Sequence, residues 1–286
     1  MSENIKKPNW LKIKLESGEN FEKVKQIVHR HHLHTICESG KCPNRNKCWT
    51  MGTATFMILG DICTRSCKFC ATKTGKPLPV DDTEPMRLSE SIRLMNLNYC
   101  VITSVDRDDL SDKGAKHWHD CILAVRQLNP QTKIEVLIPD FDGNPEWIQS
   151  ICDAAPDVIG HNLETIKRLT PLVRSRANYT TSLQTLEYIA KAGFVAKSGI
   201  MVGIGETQDE VIELMKDLRS INCELLTIGQ YLQPTPQNLA ITEYVHPDVF
   251  DFYKKEALAL GFKAVESGPY VRSSFMAEQS YMNSKI

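Results

Sequence analysis

From residue 54 onward, short apolar runs alternate with longer amphipathic stretches along the chain. The apolar runs have the length and the β-branched content of buried strands, and they occupy residues 55–59, 101–103, 134–138, 158–159, 198–202 and 225–228. The amphipathic stretches predict helices near residues 89–97, 116–128, 145–154, 182–192, 208–220 and 247–260. This alternation predicts an α/β fold in which a parallel sheet carries crossover helices. Because eight such units close a barrel of about 250 residues, six units predict a partial (βα)6 barrel of the TIM type.

The pattern divides the chain into three parts. Residues 1–52 carry little periodic apolar signal apart from a helix-like stretch near 21–30, and they include a group of three cysteines. They predict an N-terminal extension that is held together by a metal rather than by a core of its own. Residues 53–260 hold the six units of the predicted partial barrel, and residues 261–286 form a C-terminal tail beyond the last unit.

Composition and charge narrow the range of functions. Apolar residues make up 42% of the 286-residue chain and the formal net charge is −1, so the chain can bury a sizeable core and lacks the basic excess of nucleic-acid-binding proteins. No apolar run approaches the roughly 18 residues of a membrane-spanning helix. The first eight residues lack the apolar segment of a signal peptide. We therefore expect a cytoplasmic protein without a nucleic-acid or membrane partner.

Six of the ten cysteines lie within 34 residues and form two triplets. The first reads C-x4-C-x5-C and the second reads C-x3-C-x2-C; they consist of Cys37, Cys42 and Cys48, and of Cys63, Cys67 and Cys70. In a reducing compartment such clusters indicate metal ligands or catalytic thiols rather than disulfides. Three thiolates leave the fourth position of a cubane iron–sulfur cluster open to another ligand. Structural zinc sites, in contrast, use paired C-x2-C knuckles and four protein ligands.

Polar clusters follow every predicted strand, and in a TIM-type fold the loops after the strands form the working face. The second cysteine triplet comes directly after the first predicted strand. The later clusters are residues 103–109, 139–140, 161–165, 203–207 and 230–233. We therefore expect all of these groups on one rim of the sheet, which becomes the candidate active face.

The second triplet, at this spacing after a barrel strand, resembles the signature of the radical S-adenosylmethionine (SAM) family. The resemblance implies that Cys63, Cys67 and Cys70 bind a [4Fe–4S] cluster whose remaining iron chelates SAM. It also implies that one electron from the cluster cleaves SAM to methionine and a 5′-deoxyadenosyl radical, which abstracts hydrogen from an unactivated carbon.

Further blocks of the sequence resemble lipoyl synthases over almost the whole chain, from residue 10 to residue 277. The matching blocks are residues 37–49, 52–61, 63–65, 101–110, 197–207, 229–234 and 271–274. This family inserts sulfur at C6 and C8 of an octanoyl chain that is amide-linked to a lysine of a carrier protein, and it consumes two SAM molecules. The implied carriers are octanoylated glycine cleavage H protein and 2-oxoacid dehydrogenase E2 domains. The implied electron donor is of the flavodoxin or ferredoxin type.

In lipoyl synthases the first triplet binds an auxiliary [4Fe–4S] cluster, which is sacrificed as the sulfur source. Its fourth ligand is a serine of a C-terminal Arg-Ser-Ser motif. Here the motif is Arg272-Ser273-Ser274, and we assign the ligand to Ser274, with Ser273 as the alternative. A serine oxygen matches iron less well than a thiolate does, which suits a cluster that must open. The resemblance thus implies that the tail closes over the active face.

The rim clusters contain candidate contacts to SAM, each with a structural alternative. Thr103, Ser104 or Asp106 would touch SAM, or their loop would form a solvated salt-bridge turn. Asn162 and Glu164 would bond the ribose or the methionine part of SAM, or support the fold.

Two cations and a glycine turn complete the set of candidate contacts. Arg174 and Lys197 are the cationic candidates for the SAM carboxylate. By resemblance, the turn that contains Gly203 and Glu206 would pack on the adenine of SAM. The alternative is a purely structural turn, and the segment lacks the full dinucleotide-binding fingerprint.

Two other functions stay open on the sequence alone. A different sulfur-inserting radical enzyme, of the biotin synthase or methylthiotransferase kind, would have another pattern of auxiliary ligands, and methylthiotransferases usually add an RNA-binding module. A zinc-binding interaction module would use both triplets structurally. Colour separates the classes, because an anaerobically purified iron–sulfur protein is brown and a zinc protein is colourless.

Overall fold

The computed structural model describes residues 6–12 and 18–285. Its strands are β1 (His34–Thr35), β2 (Thr55–Ile58), β3 (Ile62–Cys63), β4 (Lys73–Thr74), β5 (Tyr99–Ser104), β6 (Lys133–Leu137), β7 (Val158–Gly160), β8 (Val195–Val202), β9 (Leu225–Gln230) and β10 (Ala264–Gly268). Its α-helices are α1 (Glu19–Arg30), α2 (Ile36–Ser39), α3 (Arg45–Thr50), α4 (Glu84–Met95), α5 (Ala115–Leu128), α6 (Pro145–Asp153), α7 (Thr170–Val173), α8 (Tyr179–Lys191), α9 (Gln208–Ser220), α10 (Pro247–Ala259) and α11 (Ala277–Asn283). Short 3-10 turns lie at Asn9–Leu11 and Phe141–Gly143.

The main sheet has eight strands in the order β1-β2-β5-β6-β7-β8-β9-β10. Every neighbouring pair is parallel except β1 with β2, and β3 pairs with β4 in a separate small sheet. The predicted α/β fold with a parallel sheet is confirmed. A seventh parallel strand, β10, lies in the segment that the sequence pattern assigned to the tail. The pattern missed this strand because Val265 is its only β-branched residue. In the described part of the chain β1 and β10 do not pair, so the sheet is open there.

Alternate residues of the parallel strands separate two apolar surfaces. One set, which includes Ile102, Val136 and Ile228, belongs to the large core beneath the crossover helices. The other set lies on what we call the inner face, together with the C-terminal helix α11; its strand residues are Tyr99, Val101, Val158, Leu225 and Ala264. The sheet is therefore covered on one side by crossover helices and on the other by the end of the chain. No helix within residues 6–12 and 18–285 combines the length and the hydropathy needed to cross a bilayer.

The N-terminal extension packs on the main core. Val24 and Val28 of α1 and Trp49 of α3 are buried in that core, and β1 extends the sheet by pairing with β2. Apolar packing thus holds this segment to the main core. The sequence analysis expected a metal to hold it and did not predict this packing. The three-part division of the chain stays a prediction.

The C-terminal segment lies against the inner face. Tyr281 of α11 packs on Tyr99 with 5.8 Å between the ring centroids. Before α11, the chain crosses β9 at Gly229, where an added Cβ would lie 2.1 Å from the carbonyl oxygen of Val271 and 3.2 Å from Nη1 of Arg272. A glycine is required at this position because the two backbones approach too closely for any side chain.

Gly229→Ala is expected to push the tail off the inner face. The new methyl group overlaps the Val271 carbonyl, and overpacking of this kind typically costs about 1–3 kcal/mol. Gly268, which pairs with Gly229 across β10 and β9, is the matched control, because a Cβ there would make an ordinary 3.5 Å contact with Val271. Chemical denaturation and limited proteolysis should show lower stability and faster cleavage of the tail for Gly229→Ala alone. Equal effects of the two substitutions would contradict the crossing.

Candidate active site

The second cysteine triplet follows β2: Cys63 ends β3, and Cys67 and Cys70 lie in the loop between β3 and β4. Hydrogen bonds fix this cysteine loop to two other segments. Thr64 donates from its N–H and from its hydroxyl to the carbonyl of Asp106, at 3.0 and 2.9 Å. The side-chain amide of Asn238 donates to the carbonyl of Cys70 at 2.8 Å. The N–H of Asp106 also donates to the sulfur of Cys63 at 3.3 Å. The thiols are thus held beside the loop that follows β5.

A cleft opens next to the cysteine loop, along the ends of β5, β6 and β7. Seven of the residues predicted from the sequence line it: Cys67, Thr103, Ser104, Asp106, Asn162, Glu164 and Arg174. They come from separate loops that the parallel sheet brings to one rim, as expected for residues after the strands. The predicted rim is therefore a concave surface, and Cys67 of the second triplet is part of its lining.

An arginine inside the second triplet, Arg65, is buried among four carboxylates. Its guanidinium donates to both oxygens of Asp108, at 2.8 and 3.0 Å, and to Asp140 at 3.0 Å. Asp106 and Asp142 lie 3.3 and 3.6 Å from it. A bidentate guanidinium–carboxylate pair fixes orientation as well as distance. Since these acids follow β5 and β6, Arg65 fastens the cysteine loop to the loops after both strands.

Burial and the arginines set the charge of the cleft. Burial raises the pKa of Asp106 and of Glu164 above the usual carboxyl range, and the charge of Arg174 offsets part of the rise in both. Asp140 has the opposite shift: burial disfavours its charge, but the charge and hydrogen bond of Arg65 outweigh it and lower the pKa to about 2. The cleft thus offers a guanidinium and two carboxyls whose ionisation a bound cation would favour.

The first cysteine triplet lies in α2, in the turn after it and in α3, against β2. Burial raises the pKa of Cys37, and the neighbouring polar groups of Thr55 and Trp49 oppose the rise. Burial and the neighbouring Cys37 and Cys42 raise the pKa of Cys48 to about 12. The three thiols are therefore close enough to affect one another's charge. They would have to lose their protons to bind a metal.

The two serines of the tail have different partners. The hydroxyl of Thr55, on β2, donates to Oγ of Ser274 at 2.7 Å. Nδ2 of Asn162, in the cleft, donates to Oγ of Ser273 at 2.7 Å. Because α2, which carries Cys37, packs against β2, which carries Thr55, Ser274 is on the side of the first triplet and Ser273 is on the side of the cleft.

Two further contacts join the tail to the segment of the first triplet. Nδ2 of Asn44 donates to the carbonyl of Tyr270 at 2.6 Å. The ammonium group of Lys47 lies 5.2 Å from the ring centroid of Phe275, within the range of a cation–π contact. The tail is thus fastened to this segment on both sides of the Arg-Ser-Ser motif.

Three of the predicted SAM contacts are not part of the cleft lining. Lys197 is buried and pairs with Glu135 at 2.6 Å. Glu206 accepts hydrogen bonds from the backbone N–H groups of Gly203 and Ile204, so its carboxylate closes its own turn. The structural alternative for this turn has direct support, and a SAM contact by Lys197, Gly203 or Glu206 stays a prediction.

The sequence pattern did not single out Arg65 or His161 as parts of the site. For Arg65 the sequence did contain a signal: an arginine stands between two candidate ligand cysteines, and acidic residues follow two later strands. His161 lines the cleft, and burial lowers its pKa to about 4. The neutral imidazole contacts the Ile138 carbonyl and the Ser182 hydroxyl, both at 2.9 Å. Nothing in the sequence distinguished His161 from the other polar residues after β7, so its place in the cleft lining was not predicted.

Comparisons with known proteins cover nearly the whole chain. Residues 57–218 match the profile of the radical SAM superfamily, and residues 1–42 match that of the N-terminal domain of lipoyl synthase. The chain is 57% identical over 279 residues to the lipoyl synthase of Parabacteroides distasonis. This match covers 98% of this chain and 99% of the relative. It is 54% identical over 283 residues to that of Treponema denticola, with coverages of 99% and 98%. The crystal structure of methylornithine synthase shares the fold, with a TM-score of 0.58 and 11% identity over 94% of this chain and 77% of that one.

Arg65→Ala is expected to destabilise the protein strongly, because it leaves buried carboxylates without their cation. Removing one partner of a buried ion pair typically costs about 3–5 kcal/mol. Arg168 is the matched control: its side chain is 56% exposed and pairs with Glu210 at 2.7 Å, and exposed pairs contribute about 0–1 kcal/mol. Thermal and urea unfolding of Arg65→Ala and Arg168→Ala measure the difference. Similar losses in both variants would rule out the anchoring role of Arg65.

Proposed function

Because the chain belongs to the lipoyl synthase family of the radical SAM superfamily, we propose that it inserts sulfur at C6 and C8 of a protein-bound octanoyl-lysine. The resemblance drawn from the sequence is confirmed, and membership of this family gives SAM and two [4Fe–4S] clusters as the cofactors. Because the similarity extends over nearly the whole chain, it favours this family over a zinc-binding interaction module and over other sulfur-inserting radical enzymes. The observation that carries the proposal is the position of two neighbouring serines in the tail. Ser273 contacts Asn162 in the cleft, and Ser274 contacts Thr55 beside the first triplet.

The second triplet is the proposed site of the cluster that binds SAM. Cys67 lines the cleft, and Arg65 fastens the cysteine loop to two neighbouring loops. Three cysteine thiols, with no fourth cysteine in the loop, suit a cubane with one open iron. When bound, the cluster and SAM supply the radical that abstracts hydrogen from the octanoyl chain. The protein's own part is to hold the thiols in a fixed geometry beside the cleft.

The cleft residues are the proposed partners of SAM. Arg174 is a guanidinium in the cleft lining and is assigned to the SAM carboxylate. Asp106 and Glu164 are the acceptors for its ammonium group and ribose hydroxyls, and a bound cation would favour their charged forms. Thr103 and Ser104 add neutral hydroxyls at the end of β5.

The first triplet is the proposed site of the auxiliary cluster, and its surroundings fit a centre with net negative charge. The guanidinium of Arg272 is half-buried, and the ionisable groups that act on its pKa are Cys42 and Tyr270. Among the described residues, no carboxylate pairs with it, and its own hydrogen bond goes to the Val271 carbonyl at 2.6 Å. A half-buried cation in this position is compensated when Cys42 binds metal as a thiolate.

Ser274 is the proposed fourth ligand of the auxiliary cluster. Its contact with Thr55 supports this assignment, because Thr55 lies on β2, the strand against which α2 with Cys37 packs. Ser273 is bonded instead to Asn162, which lines the cleft. Asn162 is thus the proposed link between the bound SAM and the tail.

The proposed partners follow from the reaction. The substrate is an octanoyl-lysine on a carrier protein, and we propose glycine cleavage H protein and 2-oxoacid dehydrogenase E2 domains as carriers. A donor of the flavodoxin or ferredoxin type is proposed to supply the electrons. We also propose a cytoplasmic location, because none of the ten cysteines forms a disulfide, and cysteines stay reduced in a reducing compartment.

Anaerobic incubation with SAM, a reductant and an octanoyl-lysine peptide tests the proposed function. Mass spectrometry is expected to show a product that has gained two sulfur atoms, together with 5′-deoxyadenosine. Formation of 5′-deoxyadenosine without any thiolated peptide would assign the chain to another radical reaction.

Replacing the two cysteine triplets is expected to abolish different steps of the reaction. Replacing Cys63, Cys67 and Cys70 with Ala should abolish 5′-deoxyadenosine formation, because no iron is left to chelate SAM and reduce it. Replacing Cys37, Cys42 and Cys48 should leave some SAM cleavage and eliminate sulfur insertion. The same assay reads both products in parallel. Thiolated product from the second variant would disprove the assignment of the sulfur donor.

Substitutions of Ser274 separate a ligand from a packing residue. Ser274→Ala should keep a cluster on three thiolates but transfer little sulfur. Ser274→Cys should bind the cluster more firmly and also fail, because a thiolate resists the opening that sulfur donation needs. A serine that only anchors the tail would instead cost about 1 kcal/mol of stability and leave turnover intact. Ser273→Ala is the control, and loss of product in that variant alone would move the ligand to Ser273.

A further inference from the structure

The sulfur of Cys67 has a hydrogen-bond partner from another segment of the chain. The hydroxyl of Ser175, 108 positions away in the segment that follows α7, lies 3.6 Å from this sulfur. The N–H of Ser66 donates to the same hydroxyl oxygen at 3.1 Å. The N–H of Lys68 donates to the carbonyl of Val173 at 2.9 Å. Hydrogen bonds to the segment after α7 therefore flank Cys67 on both sides.

The hydrogen of the Ser175 hydroxyl is available to this sulfur. A serine hydroxyl has one hydrogen to donate and two lone pairs that accept. One lone pair accepts the N–H of Ser66, so the O–H group remains free to donate. A cysteine that binds metal is a thiolate and has no hydrogen of its own. With metal bound, the hydrogen bond between the two side chains can therefore run only from Ser175 to Cys67.

The other two sulfurs of the triplet accept hydrogen bonds from the backbone. The sulfur of Cys63 is 3.3 Å from the N–H nitrogen of Asp106, and the sulfur of Cys70 is 3.4 Å from that of Thr72. Every sulfur of the triplet thus has a donor beside it. The donor at Cys67 is a side chain, so a substitution of Ser175 can remove it and leave the backbone donors in place.

We propose that the Ser175 hydroxyl donates a hydrogen bond to the Cys67 thiolate when the second triplet holds its cluster, and that this bond raises the reduction potential of the cluster. The inference rests on the proposed function, because it needs a cluster at the second triplet. Hydrogen bonds to the sulfurs are one of the protein's controls over iron–sulfur potentials. The donor stabilises the reduced cluster more than the oxidised one, because reduction adds negative charge and hydrogen bonds to charged acceptors are stronger.

The same bond makes Ser175 a positioning residue that acts on the cluster through Cys67. Partners outside the coordination shell fix the orientation of the ligands and tune the metal. The preceding residue, Arg174, lines the cleft and is the proposed partner of the SAM carboxylate. Two adjacent residues would then hold SAM and one ligand of the cluster that reduces it. The segment after α7 thereby keeps the proposed electron donor and acceptor in a fixed relation.

Ser66 provides a matched control. It directly precedes Cys67 and is exposed, as Ser175 is. Among the described residues its hydroxyl has no hydrogen-bond partner, and its N–H is the group that Ser175 accepts. Ser66→Ala therefore removes a hydroxyl from the cysteine loop and keeps the proposed bond. Ser175→Thr is the conservative variant, because it keeps a hydroxyl at an exposed position where an added methyl group has room.

Full-length protein with both clusters is compared as unmodified chain, Ser175→Ala, Ser175→Thr and Ser66→Ala. Iron and sulfide analysis measures cluster loading, and a potentiometric titration followed by electron paramagnetic resonance measures the reduction potentials. The signal that changes when SAM is added identifies the cluster of the second triplet.

Ser175→Ala is expected to hold both clusters and to lower the reduction potential of the SAM-responsive cluster alone. Ser175→Thr and Ser66→Ala should match the unmodified protein. A serine that only anchors the cysteine loop would change the loading or the stability and leave the potential of the loaded cluster as it was. An unchanged potential in Ser175→Ala, or an equal decrease in Ser66→Ala, would overturn the inference.

A second measurement does not depend on the folding of any variant. A crystal structure of the unmodified protein, grown anaerobically with both clusters, is expected to retain the Ser175 hydroxyl near its present 3.6 Å from the Cys67 sulfur. A hydroxyl that is turned away from a cluster-bound Cys67 would overturn the inference and leave the proposed function intact. Unmodified protein that binds no cubane at the second triplet would overturn the proposed function and this inference with it.

Discussion

Where the C-terminal segment crosses β9 at Gly229, the two backbones approach so closely that no side chain fits between them. The crossing brings Ser273 to Asn162 in the cleft and Ser274 to Thr55 beside the first triplet. One short segment thereby reaches both candidate sites. Without it, the first triplet would have only the thiols of residues 37–48 and no nearby hydroxyl from the tail. The sheet thus supplies the rim, and the end of the chain completes it.

Two arginines next to the candidate ligands have opposite surroundings. Arg65 is fully compensated by carboxylates from the loops after β5 and β6, so its role is to fasten the cysteine loop. Arg272 has the thiol of Cys42 as an ionisable neighbour and no carboxylate partner within the part of the chain that the structure describes. The first arrangement is complete within the protein, whereas the second is suited to an additional negative charge. This difference fits a rigid SAM-binding loop and a charge-compensated auxiliary centre.

The six β-branched runs were enough to predict the parallel sheet and its polar rim, because buried parallel strands have a strong local signal. β10 has no such signal, and it is a strand because β9 offers it a partner. Ion pairs between strands also escaped prediction: Lys197 pairs with Glu135, a residue 62 positions away, and no local pattern reveals such a contact. The placement of Ser274 came from the family resemblance alone, since its neighbour Thr55 is 219 residues away.

Mössbauer spectroscopy combined with iron and sulfide analysis of anaerobically prepared protein tests the central claim most directly, namely that the two triplets hold two separate clusters. The account predicts about eight irons and about eight sulfides per chain, all in [4Fe–4S] clusters. Adding SAM should change the spectrum of one iron in the cluster of the second triplet and leave the other cluster unaltered. A plateau at about four irons per chain, or zinc as the main bound metal, would contradict it.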